Sequence, residues 1–266
     1  MSQPQDPIYV ARQGAVAEIV LNRPERMNAL DLGMWQGLAA AAAEIAADRA
    51  VRVVVVRGAG GRAFSAGADI TTFERAYATP AAAREFNDAV RAGQRALERL
   101  DRPVIARIEG ACVGGGCGIA LHCDIRVAGQ SAKFGITPAR LGIAYSFEDT
   151  RRLVDTVGPA MARDILMTGR LLDAPEALRV GLVHKVVADN KVSGAVEAYA
   201  ERLAENSQYT IRAAKRTVQA ISDGATAPDA DLACFIDEAF AGADAREGAA
   251  AFLAKRKPGF RWPEKG

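Results

Sequence analysis

The chain has 266 residues, half of them hydrophobic, and its 34 basic and 32 acidic side chains leave a formal net charge of +2. That suits one large domain, or one domain with a small appendage. It offers no Lys/Arg block and few aromatics for nucleic acid, no apolar run near the ~20 residues that span a bilayer, and no basic or apolar signal in MSQPQDPIYV. A cytoplasmic protein with neither nucleic acid nor membrane as partner is expected.

Residues 8–22, IYVARQGAVAEIVLN, read as a hairpin folded at Gly14. RPERMNAL is a turn, and Asp31 caps an alanine-rich helix running to about Asp48. VRVVVVRGAG is a continuous apolar run closed by glycines, hence a buried strand. GGRAFSAGADI is a loop of small residues, and residues 80–100 form an amphipathic helix that stops before Pro103. PVIARIEGACV reads as one strand that feeds the run Gly114–Gly116 and a short buried helix. DIRVAG and AKFGI are further strands. Ser146 and Asp149 make a capping box that opens the helix FEDTRRLVDTVG. LVHKVV is a late strand, and from about Val192 only helices are expected. The alternation gives an α/β core over residues 1–191 and a helical region over 192–266.

The cysteines, Cys112, Cys117, Cys123 and Cys234, lack the paired two-residue spacing of a zinc site. They read as small buried thiols, and no metal is expected. His122 lies one turn beyond Gly118 on the same helix face and reads as a core residue, and His184 sits in the late strand with no catalytic role expected.

The stretch EGACVGGGCGIALHCD, residues 109–124, places four glycines between 114 and 118. Each costs a helix roughly 1 kcal/mol against alanine. A dinucleotide fingerprint needs its glycines after the first strand, at another spacing. A helix start instead leaves backbone N–H groups unpaired and favours a negative oxygen. Glycine lets that oxygen approach. One donor from Gly115 and one from the loop FSAGAD, residues 64–69, would make an oxyanion hole. Two tight turns packing strand on helix would leave the same composition.

RAFSAGADI followed by GACVGGGCGIALHCDIRVAG resembles the crotonase superfamily of enoyl-CoA hydratases and isomerases. LNRPERMNAL, Met167-Thr168-Gly169, GLVHKVV and REGAAAFLAKRKP fit the same pattern in the same order. The resemblance implies a spiral of β-β-α units whose C-terminal helices build homotrimers, often paired into hexamers. It implies a coenzyme A thioester as substrate, coenzyme A being part of that substrate and no separate cofactor. The family's two oxyanion donors fall on Ala66 and Gly115. Ala63, Ala66, Gly67, Ala68, Asp69 and Ile70 match the segment that wraps the coenzyme, Arg26 a position that meets phosphate, and Phe252 and Lys255 a tail pair that reaches the nucleotide end, commonly in a neighbouring subunit.

The family's hydratases use two glutamates, and their positions hold Gly118 and Pro138 here. General acid–base catalysis contributes about 10²–10⁴-fold per group, so ordinary hydration is expected to be weak. TPARLGIAY, residues 137–145, resembles the corresponding segment of methylmalonyl-CoA decarboxylase, a relative in which the threonine and tyrosine lie near the departing carboxylate. That resemblance marks Thr137 and Tyr145. Ala68 and Gly118 depart from the decarboxylase, which carries a histidine and an acid there. Glu148 and Asp149 lie where some relatives place a catalytic acid, and of the two Asp149 reads rather as the capping-box residue. An enzyme working through a thioester enolate is expected, with decarboxylation or non-catalytic acyl-CoA binding as alternatives.

Overall fold

The antiparallel hairpin of β1 (Ile8–Gln13) and β2 (Val16–Leu21) turns at Gly14, where φ is +59°. α1 (Leu32–Ala47) starts at Asp31, whose carboxylate accepts the Met34 N–H at 2.9 Å. Three β-β-α turns follow in the computed structural model, which describes residues 5–260. The first is β3 (Val53–Gly58), β4 (Ala63–Ser65), the short α2 (Phe73–Ala76) and α3 (Pro80–Glu98). The second is β5 (Val104–Ile108), β6 (Ala111–Val113) and α4 (Gly115–Leu121). The third is β7 (Ile125–Gly129), β8 (Lys133–Gly135) and α5 (Phe147–Thr168). β9 (Leu171–Asp173), α6 (Ala174–Arg179) and β10 (Lys185–Val187) complete the core. The chain then runs through α7 (Val192–Glu205), α8 (Gln208–Ser222), α9 (Ala230–Ala241) and α10 (Ala243–Leu253). The extreme ends, residues 1–4 of the start and 261–266 of the basic tail, lie outside the described residues.

Each turn gives one strand to each of two sheets. The six-stranded sheet runs β1-β2-β3-β5-β7-β10 and the four-stranded sheet β4-β6-β8-β9. β3, β5 and β7 are parallel neighbours, as are β4, β6 and β8. This is the expected β-β-α spiral. It also explains why the first four residues of β3, Val53 to Val56, are all apolar. Val54 and Val56 face the large core shared with α1 and α3, while Val53 and Val55 face Val196 and Ala200 of α7. Burying such a side chain contributes about 1.5–3 kcal/mol. Because α7 lies on the sheet, the division at 191/192 separates stretches of chain and not packing layers.

Three elements differ from the sequence reading. PVIARIEGACV is two strands in different sheets. Gly110, at φ +66°, turns the chain between them, and a Cβ there would overlap the Arg62 carbonyl oxygen. GGRAFSAGADI contains β4. The helix that opens at Ser146 is broken at Gly158 (φ +77°) and Pro159, then continues to Thr168. Among the described residues, no helix is long and apolar enough to cross a membrane.

Candidate active site

The loop after β4 is stitched to residues 27–30. Asn28, fully buried at φ +55°, donates through Nδ2 to the carbonyls of Ala59 and Ala63 at 3.0 and 2.8 Å. The Ser65 hydroxyl donates to the Asn28 carbonyl at 2.8 Å and accepts the Gly67 N–H at 3.1 Å. Leu30 pairs with Ala68 in an isolated parallel bridge: its N–H donates to Gly67 O at 2.7 Å, and its carbonyl accepts the Asp69 N–H at 2.9 Å. Asp69, only 5% exposed, fastens the loop end, meeting Arg23 Nη2 at 2.9 Å and Thr71 Oγ1 at 2.6 Å. The Thr71 hydrogen bond and the Arg23 charge hold its carboxyl below the usual carboxylate range.

This stitching corrects the donor assignment. The Ala66 N–H already donates to the Met27 carbonyl at 3.0 Å. It is not free for a ligand. Leu30 takes both neighbours of Ala68, so the Ala68 N–H points to the other side of the loop, where no acceptor among the described residues meets it.

The glycine run lies against that loop. Hydrogen bonding in α4 begins with Gly118 N–H to Gly114 O at 3.0 Å, leaving the first-turn amides, Gly115 among them, without a helical acceptor. A Cβ on Gly67 (φ +91°) would lie 3.3 Å from Gly115 N and 2.7 Å from Val113 O. One on Gly115 would meet Trp35 Cζ2 at 3.0 Å, and one on Gly116 the Ser65 carbonyl oxygen at 2.6 Å. Closeness of the protein's own parts thus requires these glycines. The by-product is two small-residue loops side by side, each presenting an amide.

Gly118 answers to a different neighbourhood. Its Cβ would lie 2.6 Å from Gln94 Nε2, 3.0 Å from Asp149 Oδ1 and 3.5 Å from Tyr145 Oη. The Asp149 carboxylate accepts from Gln94 Nε2 at 2.8 Å and from the Ser146 hydroxyl at 2.8 Å, while its own N–H donates to Ser146 Oγ at 3.0 Å. Ser146 therefore caps the helix, but the Asp149 carboxylate returns to the Ser146 hydroxyl and not to its backbone N–H, so only half of the capping box forms, and that carboxylate is carried, buried, to the missing side chain's place. Burial pushes the Asp149 carboxyl up, against the Ser146 hydrogen bond, and pushes the Tyr145 phenol well up. Tyr145 Oη is buried without a partner among the described residues. The sequence reading does not mark Gln94, and it weighs Asp149 as an acid only to set it aside as a cap. The available signal was a glutamine beside Gly93 and Leu97 on the apolar face of α3.

The other candidates disperse. Thr137 lies against Gly135, whose Cβ would be 3.6 Å from Thr137 Cγ2. Glu148 faces Arg95 at 3.8 Å and is 41% exposed. Ala63 is buried, Ile70 is half exposed, and Arg26 is exposed. Phe252 is 84% exposed and Lys255, at φ +50°, is exposed, so within one chain neither is packed against segment 63–70. His122 is buried, its Nδ1 2.8 Å from Gly118 O, and His184 Nδ1 accepts the Arg126 N–H at 3.0 Å. Cys112, Cys117 and Cys123 are buried, burial pushing the Cys123 thiol up to about 12. Cys234 is exposed on α9, contrary to the buried-thiol reading.

The sequence profile of the enoyl-CoA hydratase/isomerase family matches residues 11–263. A crotonyl-CoA hydratase of Syntrophomonas wolfei is 37% identical over 95% of this chain and 97% of its own. A short-chain-enoyl-CoA hydratase of Clostridium acetobutylicum is 35% identical over 94% and 95%. The crystal structure of an enoyl-CoA hydratase/isomerase family protein from Hyphomonas neptunium superposes with a TM-score of 0.94 at 41% identity, covering 98% of this chain and all of that one. An enoyl-CoA hydratase/carnithine racemase from Magnetospirillum magneticum gives 0.92 at 39%, covering 97% and 96%. The chain belongs to the enoyl-CoA hydratase/isomerase family, within the crotonase superfamily.

Proposed function

We propose that the protein binds an acyl-CoA thioester with its carbonyl oxygen between the Ala68 and Gly115 amides, and that an enolate forms there. The observation that carries this reading is the pair of amides on adjoining loops that have no acceptor among the described residues. Fixed donors aimed at developing charge stabilise an oxyanion by ~3–4 kcal/mol each. The loops need no reorganisation, because Leu30, Met27 and Asn28 already hold them. The segment from Gly67 to Ile70 and exposed Arg26 then face the coenzyme. Phe252 and Lys255 serve a neighbouring subunit's site in a homotrimer, which accounts for the 84% exposure of Phe252.

Gly118 and Pro138 supply no acid or base, so water addition is slow and the reaction is a proton shift on the enolate. Decarboxylation is a second reading, favoured by the free hydroxyl of Tyr145 beside Gly118.

Two proline variants test the cradle. Ala68→Pro removes an amide hydrogen the fold does not use, and is expected to lower turnover by two to three powers of ten, about 3–4 kcal/mol, with the melting temperature nearly kept. Ala66→Pro, which removes the bond to Met27, is expected to lose stability instead. Unchanged turnover in a folded Ala68→Pro protein refutes the assignment. Crotonyl-CoA and methylmalonyl-CoA, assayed separately by mass spectrometry for a water adduct or a lost carboxyl group, separate the reaction types.

A further inference from the structure

Gly118 lies three residues beyond Gly115, about 4.5 Å along the helix axis. A thioester held at Gly115 brings its α-carbon alongside this point. Three side chains from separate stretches converge there: Gln94 from α3, Tyr145 from the loop before α5, and Asp149 from the first turn of α5. Asp149 is 4% exposed. An isolated buried carboxylate is costly unless compensated, and here the compensation is two neutral donors, Gln94 and Ser146. The nearest cationic candidate, His122 Nδ1, stands 4.0 Å away and turns to Gly118 O instead. Capping alone needs only the Ser146 side of this carboxyl group. Its other oxygen is placed where the absent residue-118 side chain would begin, with an unpartnered hydroxyl beside it.

We infer that Asp149 is the proton carrier for the acyl α-carbon, with Gln94 positioning its carboxylate and the Tyr145 hydroxyl steering the proton. This rests on the thioester reading above. In the step, the α C–H bond breaks. Its electron pair becomes the C=C bond of the enolate, and the carbonyl π pair moves onto the oxygen between the Ala68 and Gly115 amides. The proton goes to an Asp149 carboxylate oxygen. Return of that proton to carbon restores the thioester, so no co-reactant is consumed. The titratable and charged groups around Asp149 are Tyr145 and Glu148 on its own stretch, Arg95 and Glu98 on α3, His122 at the end of α4, and Arg152, which pairs with Glu98.

The test uses the full chain with acetyl-, butyryl- and octanoyl-CoA in deuterium oxide. Binding is read by calorimetry and α-deuteration by mass spectrometry. Wild type is expected to bind at least one thioester and to exchange its α-protons, faster as pH rises through the Asp149 titration. Asp149→Asn keeps an acceptor for Gln94. It is expected to slow exchange by about 100-fold or more, to flatten that pH profile and to hold affinity within about threefold. Tyr145→Phe removes only an unpartnered hydroxyl and is expected to slow exchange about 10-fold. If wild type binds none of the three, the thioester reading falls and this inference with it. If wild type binds without exchange, or a folded Asp149→Asn protein exchanges at the wild-type rate, the inference alone is overturned. Should Asp149→Asn not fold, unaltered exchange in Tyr145→Phe overturns it.

Discussion

At Gly116 a side chain would start 2.6 Å from the Ser65 carbonyl oxygen, backbone against backbone; at Gly118 it would start 2.6 Å from Gln94 Nε2, the end of a side chain. The two glycines stand in one short helix and belong to two kinds of construction. Around Gly114–Gly116 the site is a cradle of main chain, fixed by strand pairing and by residues 27–30. Around Gly118 it is a cluster of side chains lent by α3, α5 and the loop before it. Backbone donors depend on the fold and not on which side chains it carries. A side-chain cluster can change while the fold is kept, so it is the part of a site that sets its particular chemistry.

Substitutions should separate the two. Gly116→Ala must push two loops apart, and its cost is expected at or above the top of the ~1–3 kcal/mol range for overpacking, with turnover lost alongside; thermal unfolding reads it. Asp69→Asn, at the far end of the cradle, is expected to cost about 1–3 kcal/mol at neutral pH. Its carboxyl is held below the ordinary value by Thr71 and Arg23. The stability it contributes is therefore present above the unfolded-state pKa of about 3.9 and lost as pH falls through the lower folded-state pKa. Denaturant titrations of variant and wild type should converge in acid. Gly118→Ala displaces only side-chain ends and is expected to cost about 1 kcal/mol, less than Gly116→Ala. Equal losses at 116 and 118 would break the comparison.

The smallest effect has the opposite sign. Burial raises the Asp149 carboxyl, so the folded state holds that proton more tightly than the unfolded chain does. Stability then falls as pH rises from the unfolded-state pKa to the raised folded-state pKa, and the cost is fully present above it. Asp149→Asn removes this titration. Its melting temperature is expected to exceed that of wild type above the window and to meet it below pH ~4. A variant that stabilises the protein while slowing proton exchange is what a functional carboxylate predicts.

The cradle was legible because its signals are local: small residues after a buried strand, glycines at a helix start, Asp31 and Ser146 as caps. Which amide is free was not. It depends on Met27 and Leu30 consuming the N–H groups of Ala66 and Asp69 across some forty residues of sequence, so the resemblance marks Ala66 where the geometry points to Ala68. Ser146 and Asp149 were legible as a capping box, but the second carboxylate oxygen meets Gln94, 55 residues away. No spacing rule reaches that far. The split of residues 103–113 into two strands was hidden for a similar reason, because Gly110 turns against Arg62 of the preceding unit.

The most direct measurement is a crystal structure of the protein with a bound, unreactive acyl-CoA thioether ketone. The ketone oxygen is predicted to lie within hydrogen-bond reach, about 2.7–3.2 Å, of both Ala68 N and Gly115 N, with Ala66 N still bound to Met27. A carbonyl oxygen that meets neither amide, or that draws Ala66 away from Met27, would contradict the account.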